Sequence, residues 1–123
     1  MDWKIEVIPV PVTDVDRAKT FYETVGFRTN HDHTVRDGVR FVHLTPPGSA
    51  CSIVIGEGIT KKIPGTEEIQ VMVADAEVAR KQLLDAAVDV SEVGEQPWGK
   101  FVHFSDPDGN RWTLEAIAAR SNG

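Results

Sequence analysis

The sequence contains a single cysteine, Cys51, and therefore cannot form a disulfide within one chain. A chain with so little cysteine is typical of a reducing compartment. The first residues, Met1-Asp2-Trp3-Lys4, also lack the charged region and apolar block of a secretory signal peptide. Both absences lead us to expect a cytoplasmic protein.

Long runs of one residue type are missing as well. No apolar run approaches the roughly 18 residues that a membrane-spanning helix needs, and the formal net charge of −6 comes without any basic run. These features argue against a membrane or nucleic-acid partner. Nucleophile-elbow, phosphate-loop and dinucleotide-binding motifs are absent too. With 41% hydrophobic residues among 123, the chain is long enough for one globular domain with a real core.

What the sequence does contain is an internal repeat. Residues 40–48 read Arg-Phe-Val-His-Leu-Thr-Pro-Pro-Gly, and residues 100–108 read Lys-Phe-Val-His-Phe-Ser-Asp-Pro-Asp, 60 positions later. Asp106-Pro107-Asp108-Gly109 has the residues of a tight turn and lies between β-favouring stretches. The second copy is therefore predicted to be a β-hairpin over 99–115.

Helix starts repeat at a similar spacing. Asp14 and Asp75 each end a Val-x-Asp pattern and are suited to cap a helix. We interpret residues 1–123 as one domain made of two repeats, 1–60 and 61–120. Each repeat is predicted as a strand, a helix and three strands. In the first repeat the strand spans 4–12, the helix spans 14–26 with Thr13 or Asp14 as its cap, and the three strands span 27–36, 39–45 and 50–55. In the second repeat the strand spans 67–73, the helix starts at 75, the next strand spans 88–93, and the hairpin runs to about 118. This is an α+β arrangement whose two bare sheet faces are expected to form a cup, where ligand pockets occur.

Two motifs carry a family resemblance. Val12-Thr13-Asp14-Val15-Asp16-Arg17-Ala18 with Phe21-Tyr22 and Gly26-Phe27, and then Phe104-Ser105-Asp106-Pro107-Asp108-Gly109-Asn110, resemble the two halves of the vicinal oxygen chelate superfamily. That superfamily includes glyoxalase I, the bleomycin-resistance proteins and the extradiol dioxygenases. Pro97-Trp98-Gly99 is similar to the bleomycin-resistance branch. The resemblance covers essentially the whole chain and implies two βαβββ modules forming a curved mixed-sheet cup, together with a homodimer.

The resemblance also implies where a metal would lie. Enzymes of the superfamily hold a divalent metal through His or Glu from four strands, and these positions fall on Val7, Glu68 and Thr113, with the fourth near Ile53. Valine and isoleucine offer no donor atom, so only Glu68 is a good metal ligand. We therefore expect no metal and no other cofactor.

An atypical metal site is kept as an alternative. His43 and His103 occupy matching positions of the two repeats, and together with Glu68 and Glu115 they offer the donor atoms of an atypical metal site. The competing interpretation is that both histidines are repeat-derived residues packed at strand ends.

Alternation along the last strand predicts a ligand-contacting face. Arg111, Thr113 and Glu115 point to one side of that strand, and Trp98 on the preceding loop is placed to stack on a planar ligand. The full set of expected ligand-contacting residues is Val7, Pro9, Ile53, Glu68, Gln70, Met72, Trp98, His103, Arg111, Thr113 and Glu115.

These observations favour a small-molecule-binding protein. It would bind or sequester a largely apolar or planar ligand in the cup, as antibiotic-resistance proteins do, without transforming it. The alternative is a metal-dependent lyase, isomerase or dioxygenase with an atypical ligand set. A third possibility is a dimerising module that has no ligand of its own.

Overall fold

A computed structural model describes residues 2–117, so the predicted end of the second repeat, 118–120, lies outside the described residues. The elements in chain order are β1 (Val7–Pro9), α1 (Val15–Val25), β2 (Arg28–Arg36), β3 (Val39–Thr45), β4 (Ser52–Glu57), β5 (Glu68–Met72), α2 (Ala76–Asp85), β6 (Gly94–Gln96), β7 (Gly99–Ser105) and β8 (Arg111–Ile117). The strands form two mixed four-stranded sheets, ordered β1-β4-β3-β2 and β5-β8-β7-β6. The α+β class and the two βαβββ modules predicted from the sequence are confirmed.

The described residues divide into two compact units. The first runs to Glu67 and also includes Asp106–Asn110, and the second runs from Glu68 to Ser105 and continues from Arg111. Neither helix has the length and apolar character that a membrane span would require within residues 2–117.

In the first unit, α1 covers one face of its sheet. Asp14 is the N-cap and its side chain accepts from the backbone N–H of Arg17 at 3.0 Å, while Gly26 ends the helix in the left-handed region at φ +112°. The buried apolar side chains of this unit come from the helix, from alternate positions of β3 and β4, and from Val10 and Phe27 beside the strands: Val10, Val15, Ala18, Tyr22, Phe27, Val42, Leu44, Ile53 and Ile55. Helix start and end are where the sequence predicts them.

The turn between β7 and β8 belongs to the first unit through side-chain hydrogen bonds. Asp106 is buried, and its carboxylate accepts from the Tyr22 hydroxyl at 2.7 Å. Asn110, also buried, donates from Nδ2 to the Pro11 carbonyl at 2.7 Å, and its Oδ1 accepts from the N–H groups of Gly65 and Glu67. These side chains satisfy backbone groups that have no strand partner.

In the second unit, α2 covers one face of its sheet in the same way. Asp75 caps the helix by accepting from the N–H of Val78 at 3.1 Å. The rings of Phe104 and Trp112 lie parallel with centroids 6.0 Å apart. The buried apolar side chains of this unit are Ala76, Ala79, Leu83, Val88, Val102, Phe104 and Trp112. The opposite face of this sheet is not covered by α2, and we call it the open face.

Two strand predictions are wrong in extent or position. The strand predicted over 4–12 is confined to Val7–Pro9. The N–H of Val10 still donates to the Val54 carbonyl, but Pro11 has no N–H with which to continue the ladder. The strand predicted over 88–93 is found instead at Gly94–Gln96. Ser91 bonds to His103 of β7 through both its backbone N–H and its side-chain hydroxyl, each at 2.9 Å, so the hydroxyl replaces one ladder bond.

Candidate functional site

Strand register arranges the side chains of the open face in rows. Gln70, Thr113 and His103 are paired across β5, β8 and β7, and they form one row. Glu68 and Arg111 are paired in the row before it. Because side chains alternate between faces, both rows point away from Trp112, which lies under α2.

A cavity of about 550 Å³ lies on the open face. Its size falls in the range of small-molecule sites, roughly 300–1,000 Å³. Five of the predicted ligand-contacting residues line it, together with three that the sequence analysis missed: Glu68, Gln70, His103, Arg111 and Thr113, with Ile69, Gln96 and Phe101. Phe101 lies two residues before His103 on the same strand, and side chains two residues apart share a face. This alternation is the signal that could have identified Phe101 as a lining residue.

His103 is the half-buried titratable group of this cavity. Its Nδ1 lies 2.9 Å from Oγ1 of Thr113. Burial lowers the pKa of His103, and the positive charge of Arg111 lowers it further. The ring is therefore neutral at pH 7 and held in place by Thr113. Among residues 2–117, its Nε2 atom makes no hydrogen bond, so it can bond to a ligand.

Glu68 and Arg111 place opposite charges at one end of the cavity. Both side chains are exposed, and within the described part of the chain neither has an ion-pair partner within 4.0 Å. Glu115, by contrast, accepts from Nε2 of Gln70 at 3.3 Å. The guanidinium of Arg111 is therefore available to a ligand.

Trp98 lies in the two-residue turn Pro97-Trp98 that joins β6 to β7. It is 59% exposed, and its ring meets that of Phe101 edge to face with centroids 6.5 Å apart. Trp98 does not line the cavity itself but contacts a residue that does. Met72 is 72% exposed and paired with Glu115 on the same face, one row beyond Gln70.

The structure corrects one predicted site residue. Ile53 is 3% exposed and packs in the core of the first unit, so it cannot line an open sheet face. Val54 is the residue on the other side of β4, where it pairs with Pro9, and Val7 pairs with Ser52. The prediction is wrong by one residue, and a shift of one residue in a strand reverses the face. Val7 and Pro9 are half-buried residues of β1.

The uncovered face of the first sheet carries a cluster of rings. His43 lies with its ring centroid 5.9 Å from that of His31 and 5.7 Å from that of Phe41. His33 in turn lies 5.5 Å from Phe41. His31 and His33 are exposed, as the polar character of β2 predicts.

The residues present do not fit the metal that the fold family implies. Val7 and Val54 have no donor atom, and the Thr113 hydroxyl is engaged by His103. Within residues 2–117 no group of three or more His, Cys, Asp or Glu side chains is placed to hold a metal ion. His43 belongs to the first unit, whereas Glu68, His103 and Glu115 belong to the second.

Two βαβββ modules, each with a helix-covered sheet face and an opposite open face, define the class of protein. Residues 4–114 match the family model described as Glyoxalase/Bleomycin resistance protein/Dioxygenase superfamily, and the chain belongs to that superfamily.

Particular relatives are similar over nearly the whole chain. The uncharacterised protein YetH of Bacillus subtilis (strain 168) is 29% identical over 118 residues, which is 91% of this chain and 97% of that protein. The structure of TnmS3, an antibiotic binding protein from Streptomyces sp. CB03234, is 30% identical with a TM-score of 0.85, covering 95% of this chain and 98% of that one. A glyoxalase/bleomycin resistance protein from the same strain is 32% identical with a TM-score of 0.79, covering 91% and 99%.

Proposed function

We propose that this protein binds a planar, largely apolar small molecule on the open face of the second sheet and sequesters it without chemical change. The observation that carries the proposal is the cavity of about 550 Å³, in which the Phe101 ring lies beside hydrogen-bonding groups of the neighbouring strand. Phe101 and Ile69 are the apolar residues of its lining, and the six others are polar or charged, so the ring offers an apolar contact and the polar groups orient the ligand. The similarity to TnmS3, an antibiotic binding protein, supports an antibiotic as the natural ligand.

The metal-dependent lyase, isomerase or dioxygenase remains the second candidate, favoured only by the presence of His103, Glu68 and Glu115 in one unit. Register places Glu68 two rows from Glu115, and the intervening row contains Gln70, which donates to Glu115. The side chains at the family's metal positions are mostly valine and threonine. This donor chemistry supports binding over metal-assisted catalysis.

We further propose that the protein works as a homodimer in the cytoplasm. Large apolar side chains that are strongly exposed in the single chain support association: Trp3, Ile5, Ile63 and Met72. A module that dimerises without any ligand is the third possibility, and it differs from the first in having no small-molecule affinity.

Calorimetric titration with a panel of planar polycyclic compounds tests the proposed function. A compound that binds the wild type should bind Phe101→Ala about five- to tenfold more weakly, because aromatic contacts contribute roughly 0.5–1.5 kcal/mol beyond area burial. Leu84→Ala is the matched control, since Leu84 is an exposed apolar residue of α2. Equal losses in both variants, or no binding by any compound of the panel, would contradict the proposal.

A further inference from the structure

The open face of the second sheet carries a positive charge at one end of its strands and an aromatic ring towards the other end. Arg111 lies in the row that pairs with Ser105, and Phe101 lies four residues further back along β7. At about 3.3 Å per residue, the two rows are roughly 13 Å apart. This is the length of a two- or three-ring molecule with one polar substituent at its end.

Among residues 2–117, the positive charge that this face offers to an anion lies at the Arg111 end. Arg111 has no ion-pair partner within the described residues, whereas Arg40 of the first unit is held on both sides by Asp32 and Asp16. A free guanidinium offers two parallel N–H groups to a carboxylate, sulfonate or phenolate oxygen.

The other rows fix the orientation of such a ligand. Glu115 lies in the same row as Phe101, so a ligand turned end for end would bring its anionic oxygen beside a carboxylate. The row between them contains Gln70, Thr113 and His103, which form hydrogen bonds without bringing a positive charge.

We propose that the ligands of this site are planar aromatic anions, with the anionic oxygen bound by Arg111 and the rings lying against Phe101. This assignment rests on the proposed function and names the ligand class of the same site. It makes Arg111 the specificity-determining residue and leaves the rings to provide most of the affinity. Glu68, which is paired with Arg111 in register, weakens the attraction for an anion.

A matched pair of fluorescent probes tests the assignment on the full chain. 6-Anilinonaphthalene-2-sulfonate, which carries its sulfonate at the end opposite the anilino ring, and N-phenyl-2-naphthylamine differ only in the sulfonate. Arg111→Gln should weaken the sulfonate probe about five- to tenfold and the uncharged probe less than about twofold, since charge-assisted hydrogen bonds are the stronger ones. Arg36→Gln, an exposed arginine of the first unit, should change neither affinity.

Two more variants separate charge from structure. Glu68→Gln should strengthen sulfonate binding about two- to threefold without affecting the uncharged probe, because it removes a like charge. Arg111→Lys should recover part of the loss seen in Arg111→Gln. Because the side chains of Glu68 and Arg111 are exposed, we expect these variants to melt at the same temperature as the wild type, and a thermal melt of each variant checks this.

The outcomes distinguish this assignment from the proposed function. If Phe101→Ala weakens both probes but Arg111→Gln affects them equally or not at all, the anion assignment is wrong and the binding site stands. If neither probe responds to Phe101→Ala, the binding site itself is wrong. If Arg111→Gln selectively weakens binding of the sulfonate probe and Glu68→Gln strengthens it, both the binding site and the anion assignment are supported.

Discussion

Nδ1 of His103 lies 2.9 Å from Oγ1 of Thr113, across the antiparallel pair at the centre of the second sheet. The pKa of His103 is lowered, first by burial and then by Arg111. A histidine with a lower pKa in the folded than in the unfolded chain binds fewer protons when folded. Protonation of His103 therefore favours the unfolded chain, and the free energy of unfolding depends on pH through this residue.

We expect the contribution of His103 to the free energy of unfolding to be present above its unfolded pKa, about 6.5. It should be lost as the pH falls through the lower folded pKa. His103→Gln cannot titrate, so its stability should decrease less than that of the wild type between about pH 7.5 and pH 5. Urea denaturation across this range measures the difference, with His33→Gln as the exposed control. Parallel pH curves for the wild type and His103→Gln would contradict the prediction.

Asn110→Ala should be strongly destabilising. It removes the acceptor for two backbone N–H groups, those of Gly65 and Glu67, and the donor to the Pro11 carbonyl. Because Asn110 is buried, the expected loss is about 2–4 kcal/mol in the free energy of unfolding. Chemical denaturation measures it. Asn30→Ala loses two exposed hydrogen bonds, one to Thr45 and one from Arg28, and should cost less than about 1 kcal/mol. Equal losses in the two variants would show that the turn is not anchored in this way.

Trp98→Ala should weaken ligand binding without destabilising the fold. The side chain is 59% exposed and its ring contact is with Phe101, so its removal leaves the core intact. We expect binding of a planar ligand to fall several-fold to about tenfold. Calorimetric titration and a thermal melt on the same sample measure both effects. A large drop in melting temperature, or unchanged affinity, would assign Trp98 a purely structural role.

The protein should purify without stoichiometric metal. Val7 and Val54 offer no donor, and Glu68 is the one good ligand at the positions implied by the family. Elemental analysis after gentle purification without chelators is the measurement. About one equivalent of a divalent transition metal per chain, lost in Glu68→Gln, would favour the enzymatic alternative.

Sedimentation at micromolar concentration should give twice the 13.5 kDa mass of one chain. The expectation comes from the family and from exposed apolar residues such as Trp3 and Met72. A single species at the mass of one chain, unchanged as concentration rises, would exclude the homodimer.

Local signals in the sequence were sufficient for the helices and most strands. The helices begin at the caps Asp14 and Asp75, and the first helix ends at Gly26. These residues act on their close neighbours in the chain, so a sequence pattern is sufficient to identify them. The position of β6 depends instead on Ser91, whose hydroxyl bonds to His103 twelve residues away. No pattern within 88–93 contains that information.

The error at Ile53 has a comparable cause. His43 pairs with Val54 eleven residues later, whereas His103 pairs with Thr113 only ten residues later. The first hairpin is one residue longer than the second, so a single repeat spacing cannot align both strands of each hairpin. Strand partners are set by tertiary pairing, and this is why the face of β8 was predicted but that of β4 was not.

The turn between β7 and β8, which is hydrogen-bonded to the first unit, determines which fragments of the chain can fold. The sequence repeats, but residues that complete the first unit, Asp106 and Asn110, are encoded near the end of the chain. A fragment ending at Glu67 would leave the Tyr22 hydroxyl and the Pro11 carbonyl without these partners. The first half of the repeat therefore depends on a turn that lies in the second half, and a fragment ending at Glu67 is not expected to fold as an autonomous module.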